Sequence, residues 1–176
     1  VLGSKVEIIE KILKNNEQNF KAQIANDNSE GQIVLSGRID DLDKLIFILK
    51  ENMIKSIKLP VSAPFHCGLM NKATQIMSKE LKELNFIQFE NKLISNVTAK
   101  EISSTDELRD LLIKQIENRV RWRESVINMI NNDVNHFIEI GPGKVLSGLV
   151  KRINKEVKIS TINNQGDIEG LEIWTI

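Results

Sequence analysis

Leu59-Pro60-Val61-Ser62-Ala63-Pro64-Phe65-His66-Cys67-Gly68-Leu69-Met70 is the stretch on which the reading turns, because it seats one of only two histidines where an extended segment gives way to a helix. Pro60 and Pro64 bias the residues before them, Leu59 and Ala63, away from α geometry. Beyond His66 the apolar residues Leu69, Ala73, Ile76, Met77, Leu81 and Leu84 recur at the spacing of an amphipathic helix, so the spacing places the imidazole in or just before the first helical turn. A histidine so placed suits general-base work, taking a proton from a nucleophile. A histidine that merely caps a helix satisfies the same pattern, and the residues alone leave both readings open.

Composition bounds the rest. At 176 residues the chain is long enough for one core or for two smaller lobes. Lys and Arg total 24 against 24 Asp and Glu, so no net field recruits nucleic acid or an anionic membrane surface. A single cysteine and no tyrosine describe an intracellular protein without a disulfide framework. No apolar run approaches the ~18 residues of a membrane span, and no signal peptide precedes the helix-like pattern at Val1. The expectation is a cytoplasmic protein, with something upstream of Val1 absent. Two distant histidines and one cysteine make no zinc site, and no metal is expected. Cys67 reads as a small packed residue, since adjacent helical positions point about 100° apart and a dyad with His66 is disfavoured.

Outward from the histidine, Val6, Ile9, Ile12 and Leu13 predict a short helix, and Phe20 to Ala25 a strand. Asn26-Asp27-Asn28-Ser29-Glu30-Gly31 carries turn chemistry, in which Asn26 and Asn28 are either plain turn residues or ligands of a cleft. Gln32 to Ser36 reads as a second strand. Asp40, with Asp43 after it, predicts a cap for a helix striped by Leu42, Leu45, Ile46 and Leu49. Ser56 to Leu59 reads as a third strand. Helix, strand, strand, helix, strand is most of a ferredoxin-like βαββαβ lobe, lacking only its opening strand.

Toward the carboxy terminus, Lys92 to Val97 predicts a short strand ending in Ser95-Asn96. Ser104 and Glu107 form a capping box ahead of Leu108, Leu111, Leu112 and Ile116. Gln115 falls on that same face, so its amide is either satisfied in a core or turned to a polar cleft. Asn118 and Arg119 interrupt the helix, and Trp122, Val126, Ile127, Met129 and Ile130 begin another. His136 to Ile140 is a strand whose inward positions include Phe137, with Ile138 beside it. It runs into Gly141-Pro142-Gly143-Lys144, which fits neither a dinucleotide fingerprint nor a phosphate loop, because Leu146 stands at the third glycine position. A tight strand-to-helix turn explains it, followed by a helix on Val145, Leu146, Leu149, Val150 and Ile153. With Val157 to Ile162 as a further strand, the alternation predicts helices packed on a largely parallel sheet. Asn163 to Asp167 reads as loop, and Ile168 to Ile176, with Trp174, as a tail.

Taken together, the motifs at 59–70, Ser95-Asn96-Val97-Thr98, Gln115-Ile116-Glu117-Asn118-Arg119-Val120-Arg121-Trp122 and Glu139-Ile140-Gly141-Pro142-Gly143-Lys144-Val145-Leu146 resemble, in that order, those of malonyl-CoA:acyl carrier protein transacylases. The segment from Asn28 to Gly37 is also similar to part of that family's small lobe. The resemblance runs from about Val1 to Thr161. It implies the carboxy-terminal part of an α/β-hydrolase-like acyltransferase subdomain with a ferredoxin-like small lobe, divided as 1–57 small subdomain, 58–163 large subdomain and 164–176 tail. It implies malonyl transfer from malonyl-CoA to acyl carrier protein in fatty acid biosynthesis by a two-step serine mechanism, without a cofactor. His66 then corresponds to the general base, and Gln115 to the residue whose main-chain carbonyl holds it. Asn28 and Asn26 correspond to positions lining the acyl cleft.

The sequence also departs from the family. No Gly-X-Ser-X-Gly elbow occurs in it, and the family's malonyl-binding arginine and amino-terminal oxyanion glutamine find no counterpart motif. Arg119 stands where the family usually has proline. The resemblance therefore implies a chain with the base and small lobe but without the nucleophile, unable to turn over alone unless the missing segment is supplied. The alternative is a non-catalytic remnant or a carrier-protein-binding fragment.

Overall fold

The computed structural model describes residues 1–169; the last residues of the expected tail, Trp174 among them, lie outside the described residues. The chain divides into two compact units, Val1–Ser125 and the part from Val126 onward.

In the first unit, α1 (Val6–Asn15) and α2 (Ile39–Glu51) are amphipathic helices that bury Val6, Ile9, Leu45 and Leu49 against Phe20, Ile24 and Ile33. The strands beneath them, β1 (Ala22–Ser29) and β2 (Gln32–Gly37), form an antiparallel pair. The expected six-residue turn is only Glu30-Gly31, where Gly31 takes φ +76°; Asn26 to Ser29 are strand instead. Two irregularities in register, between Ile24 and Asn26 and between Asp27 and Ser29, absorb the residues that read as loop. Outside β1, Val120 supplies further pairing: the Asp27 N–H donates to the Val120 carbonyl at 2.9 Å and the Val120 N–H to the Ala25 carbonyl at 2.8 Å. Polar Asx residues thus stay extended because both edges of this strand are bonded.

Three further expectations are corrected in this unit. The strand from Ser56 to Leu59 does not form; pairing stops at Lys55, whose carbonyl accepts from the Leu2 N–H at 2.8 Å. Leu2 also bridges Gln32, so residues 1–3 lie between β2 and Lys55 as a stub of the opening strand that appeared to be lacking. Asp40 does not cap α2, whose N-cap is Arg38 without a side-chain bond; Asp40 and Asp41 lie in the first turn, where carboxylates face the positive helix end. The strand from Lys92 to Val97 reduces to one bridge, Ile94 to Glu101, because the chain turns back at once around the Ser95 hydroxyl, which accepts from the Val97 N–H at 3.1 Å.

Around the histidine, a 3₁₀ turn (Gly68–Met70) leads into α3 (Asn71–Glu83), which packs on α4 (Thr105–Lys114). The Ser104 hydroxyl accepts from the Glu107 N–H at 3.2 Å, as the capping box requires. The Glu107 carboxylate returns to the Ser103 N–H and hydroxyl at 2.7 and 2.6 Å rather than to Ser104. The boundary between the two units falls within α5 (Trp122–Asn131).

In the second unit, β3 (His136–Ile140) and β4 (Lys158–Ile162) pair in parallel, with Phe137 opposite Ile159 and Ile138 opposite Ser160. The crossover is α6 (Val145–Ile153), which buries Leu149 and Val150. Gly141 (φ +134°) and Gly143 (φ +97°) make the tight turn between them. Lys144, the N-cap, offers no side-chain bond, and the Glu139 carboxylate takes that role, accepting from the Ser147 N–H at 2.7 Å. Part of the segment read as loop at 163–167 is helical: α7 (Gly166–Glu169) begins within it, with Asp167 accepting from the Asn163 N–H.

Candidate active site

His66 does not belong to a helical turn. It sits two residues before the 3₁₀ turn, half-buried, in the left-handed region at φ +59°. A β-carbon makes that conformation costly, and a non-glycine residue is found there where surrounding bonds over-determine it. Those bonds are present. The Phe65 N–H donates to the Ala63 carbonyl at 3.0 Å, and the buried Cys67 thiol to the Pro64 carbonyl at 3.2 Å. Cys67 is thus the small packed residue that the sequence suggests.

The imidazole is fixed from the other side of the unit. His66 Nδ1 lies 2.9 Å from the main-chain carbonyl oxygen of Gln115, the C-cap of α4. A carbonyl can only accept, so Nδ1 carries a proton, and in the neutral ring the lone pair then lies on Nε2. That tautomer can take a proton from an approaching O–H or S–H group. The Gln115 carbonyl is free for this because the helix ends there: Asn118 and Arg119 break it, and Asn96 Nδ2 lies 3.4 Å from Gln115 Oε1. The next residues tie the break down, with Val120 on β1 and the Arg121 N–H donating to the Asn96 carbonyl at 2.9 Å.

His66 and Gln115 are therefore brought together, while Asn26 and Asn28 sit half-buried on β1. Asn26 pairs with Val34, whereas Ile24 and Asp27 pair with Leu35 and Ile33; Asn26 thus faces away from the small-lobe core. Sequence reasoning missed Asp27. It is 1% exposed and receives Arg123 in a bidentate pair, Nε at 3.0 Å and Nη2 at 2.8 Å from Oδ2. The hydrogen bond to Asp27 raises the Arg123 pKa above its usual range, against the opposing effect of burial. The two residues are 96 apart in sequence, so only the fold exposes the pairing. Among the described residues no group of three or more His, Cys, Asp or Glu could hold a metal ion, and no helix is long and apolar enough to cross a membrane.

No protein-family model matches the chain. The fold nevertheless places it in a class: a mixed α/β chain whose structural neighbours include transacylases. More particularly, the chain is homologous to malonyl CoA-acyl carrier protein transacylases and corresponds to the carboxy-terminal part of such a protein. It is 37% identical over 178 residues to the malonyl CoA-acyl carrier protein transacylase of Bacillus subtilis (strain 168), a match covering 100% of this chain and 56% of the relative. The crystal structure of malonyl CoA-acyl carrier protein transacylase from Clostridium perfringens superposes with a TM-score of 0.91 at 36% identity, over 96% of this chain and 54% of the other. PlMCAT, a malonyl-transacylase solved in complex with the type II PKS acyl-carrier protein AntF, matches with a TM-score of 0.89 at 30% identity, over 96% of this chain and 55% of that one. The chain thus spans little more than half the length of the relatives it matches.

Proposed function

We propose that this chain supplies the base-bearing part of a malonyl-CoA:acyl carrier protein transacylase, with His66 as general base and the Gln115 main-chain carbonyl as its orienter. The observation that carries the reading is the 2.9 Å bond between His66 Nδ1 and the Gln115 carbonyl, in a chain homologous to enzymes of that name. A carbonyl orients the imidazole as the carboxylate of an ordinary triad does, but brings no full negative charge to a site that must accept a malonyl carboxylate. In the proposed reaction a serine hydroxyl, supplied by a segment this sequence does not contain, attacks the malonyl thioester. His66 Nε2 takes the serine proton and returns it to the departing coenzyme A thiolate. In the second half, His66 takes the proton of the carrier protein thiol as it attacks the malonyl-serine ester, and gives it back to the serine oxygen.

The finer architecture belongs to the same proposal. Lys55, residues 1–3, β2 and β1 lie side by side in that order, with α1 and α2 as the intervening helices, which supports a ferredoxin-like small lobe over 1–57. The parallel β3–α6–β4 unit supports an α/β-hydrolase-like large subdomain over 58–163, followed by a tail from 164. Asn26, on the outward side of β1, and Asn28, at the irregularity after Asp27, are proposed to line the acyl cleft. The reaction needs no cofactor and is assigned to the cytoplasm.

A second reading is a non-catalytic remnant or carrier-protein-binding fragment; this sequence contains no Gly-X-Ser-X-Gly. One experiment separates the two: incubate the chain with radiolabelled malonyl-CoA and carrier protein, alone and with the serine-bearing amino-terminal segment of a relative, free or fused ahead of Val1. Label on the carrier protein only in the complemented reaction is the expected result. No transfer from a stably assembled pair favours the remnant, and transfer by the chain alone above a His66→Ala control overturns the need for a second segment.

A further inference from the structure

The turn holding His66 is bonded from distant parts of the chain at two points, and its C-cap, Asn71, adds a third contact through its side chain, Nδ2 donating to Glu117 Oε1 at 3.1 Å. One is the Gln115 carbonyl on His66 itself. The other lies two residues on, where the Gly68 N–H donates to the side-chain oxygen of Gln23 at 2.7 Å. Gly68 opens the 3₁₀ turn, and its N–H is one of the donors that such a turn leaves without an internal partner. Cys67, the N-cap, supplies no side-chain bond to that turn, so Gln23 fills the vacancy from 45 residues away. The anchor is firm, because Gln23 pairs with Ser36 in the β1–β2 ladder. The remaining bonds of the turn, Phe65 to Ala63, Cys67 to Pro64 and Met70 to Cys67, are local and move with it.

We propose that Gln23 is a positioning residue for His66: its side-chain carbonyl clamps the Gly68 amide to β1 and so keeps the left-handed His66 in register with the Gln115 carbonyl. This rests on His66 being the base. The physical argument is one of leverage. A residue at φ +59° relaxes toward negative φ when its neighbours let it, and such a rotation swings the imidazole away from Gln115. Gln115 restrains the ring, whereas Gln23 restrains the backbone on the carboxy-terminal side of the strained residue. The clamp also couples the strand bearing Asn26 and Asn28 to the histidine turn, so movement of β1 is transmitted to the imidazole.

The test reads the imidazole directly and needs no turnover. In the ¹⁵N-labelled full chain, the two ring nitrogens of His66 report its tautomer, and exchange of its Nδ1–H and of the Gly68 N–H reports the two bonds. Gln23→Met keeps the length and loses all but a weak acceptor; Gln23→Glu keeps the acceptor. Gln23 is exposed, so both variants are expected to fold. In Gln23→Met both protons are expected to exchange about five- to tenfold faster, the scale of one net hydrogen bond, with the tautomers becoming mixed. Gln23→Glu is expected to stay within about twofold of wild type. Faster Gly68 exchange with an unchanged His66 tautomer and Nδ1–H overturns the proposal, since the bond would then only tether the loop; so does failure of Gln23→Glu to restore the wild-type signature. Failure of the base assignment shows elsewhere, as retained transfer in a complemented His66→Ala enzyme.

Discussion

Asp27 carries its charge into the first unit with Arg123 as its partner, and the balance between desolvation and pairing decides what each substitution costs. Arg123→Ala leaves a carboxylate at 1% exposure without its counter-ion, a loss of about 3 kcal/mol or more. Replacing both residues, Asp27→Leu with Arg123→Met, is expected to recover most of that, because the buried charge is gone. Denaturant unfolding of the wild type and these two variants checks this; a cost below ~1 kcal/mol for Arg123→Ala means that water reaches Asp27 through the recess lined by Lys5, Glu7 and Ser29. At the proposed site the contrast lies between side chain and backbone. In the complemented enzyme His66→Ala is expected to lower kcat by about 10³ with KM little changed, since a base acts in the transition states and not in binding. Gln115→Ala is expected to cost under about tenfold, because alanine retains the carbonyl, and Gln115→Pro considerably more, because proline lacks the N–H that bonds Leu111 and displaces the turn. Equal damage from Gln115→Ala and His66→Ala would falsify the backbone-orienter assignment.

At the scale of elements, α4 delivers the Gln115 carbonyl, and its amino-terminal cap carries a pH signature. The hydrogen bonds from the Ser103 hydroxyl and then the Ser103 N–H hold the Glu107 carboxyl below its usual pKa, against a small opposing effect of burial. A depressed folded-state pKa contributes stability that is present above the ordinary glutamate value of about 4.3 and lost as pH falls through the depressed one. Glu107→Gln is therefore expected to be less stable than wild type at neutral pH, with the difference closing in that acid window; a gap independent of pH contradicts the cap. This element was legible in sequence because Ser104 and Glu107 are three residues apart and the chemistry is local. The parallel β3–α6–β4 unit was legible for a related reason, since its glycine turn and helical stripe are contiguous. What failed was pairing that depends on distant partners. Nothing between Ser56 and Leu59 reveals that pairing ends at Lys55, and nothing in Asn26 to Ser29 reveals that Val120 holds them extended. The same limit hid Asp27 with Arg123 and Gln23 with Gly68, whose partners are 96 and 45 residues away. The histidine–carbonyl pair emerged only through family resemblance, because a backbone acceptor leaves no residue type to recognise.

Over the whole molecule, large apolar side chains stand exposed in each of the two units. In the first unit Leu69, Ile76, Met77 and Leu84 share one face of α3 and its flanks, each more than 40% exposed, and α3 buries no residue fully. In the second unit Ile140 and Val145 are 77% and 72% exposed beside a parallel two-stranded sheet, an arrangement that ordinarily has helices over both faces. A helix with such a stripe, and strand edges with unpaired N–H and C=O groups, favour association. The chain on its own is therefore expected to bind a hydrophobic dye strongly and to self-associate as its concentration rises. Ile76→Lys with Val145→Lys is expected to reduce both effects while shifting unfolding stability by less than about 0.5 kcal/mol per site, since neither side chain is packed in a core. Dye fluorescence and light scattering across a concentration series check the first expectation, and chemical unfolding the second. A chain that stays monomeric and dye-free at high concentration would show that these side chains are covered in solution. A double variant that loses more than ~2 kcal/mol would show that they are packed.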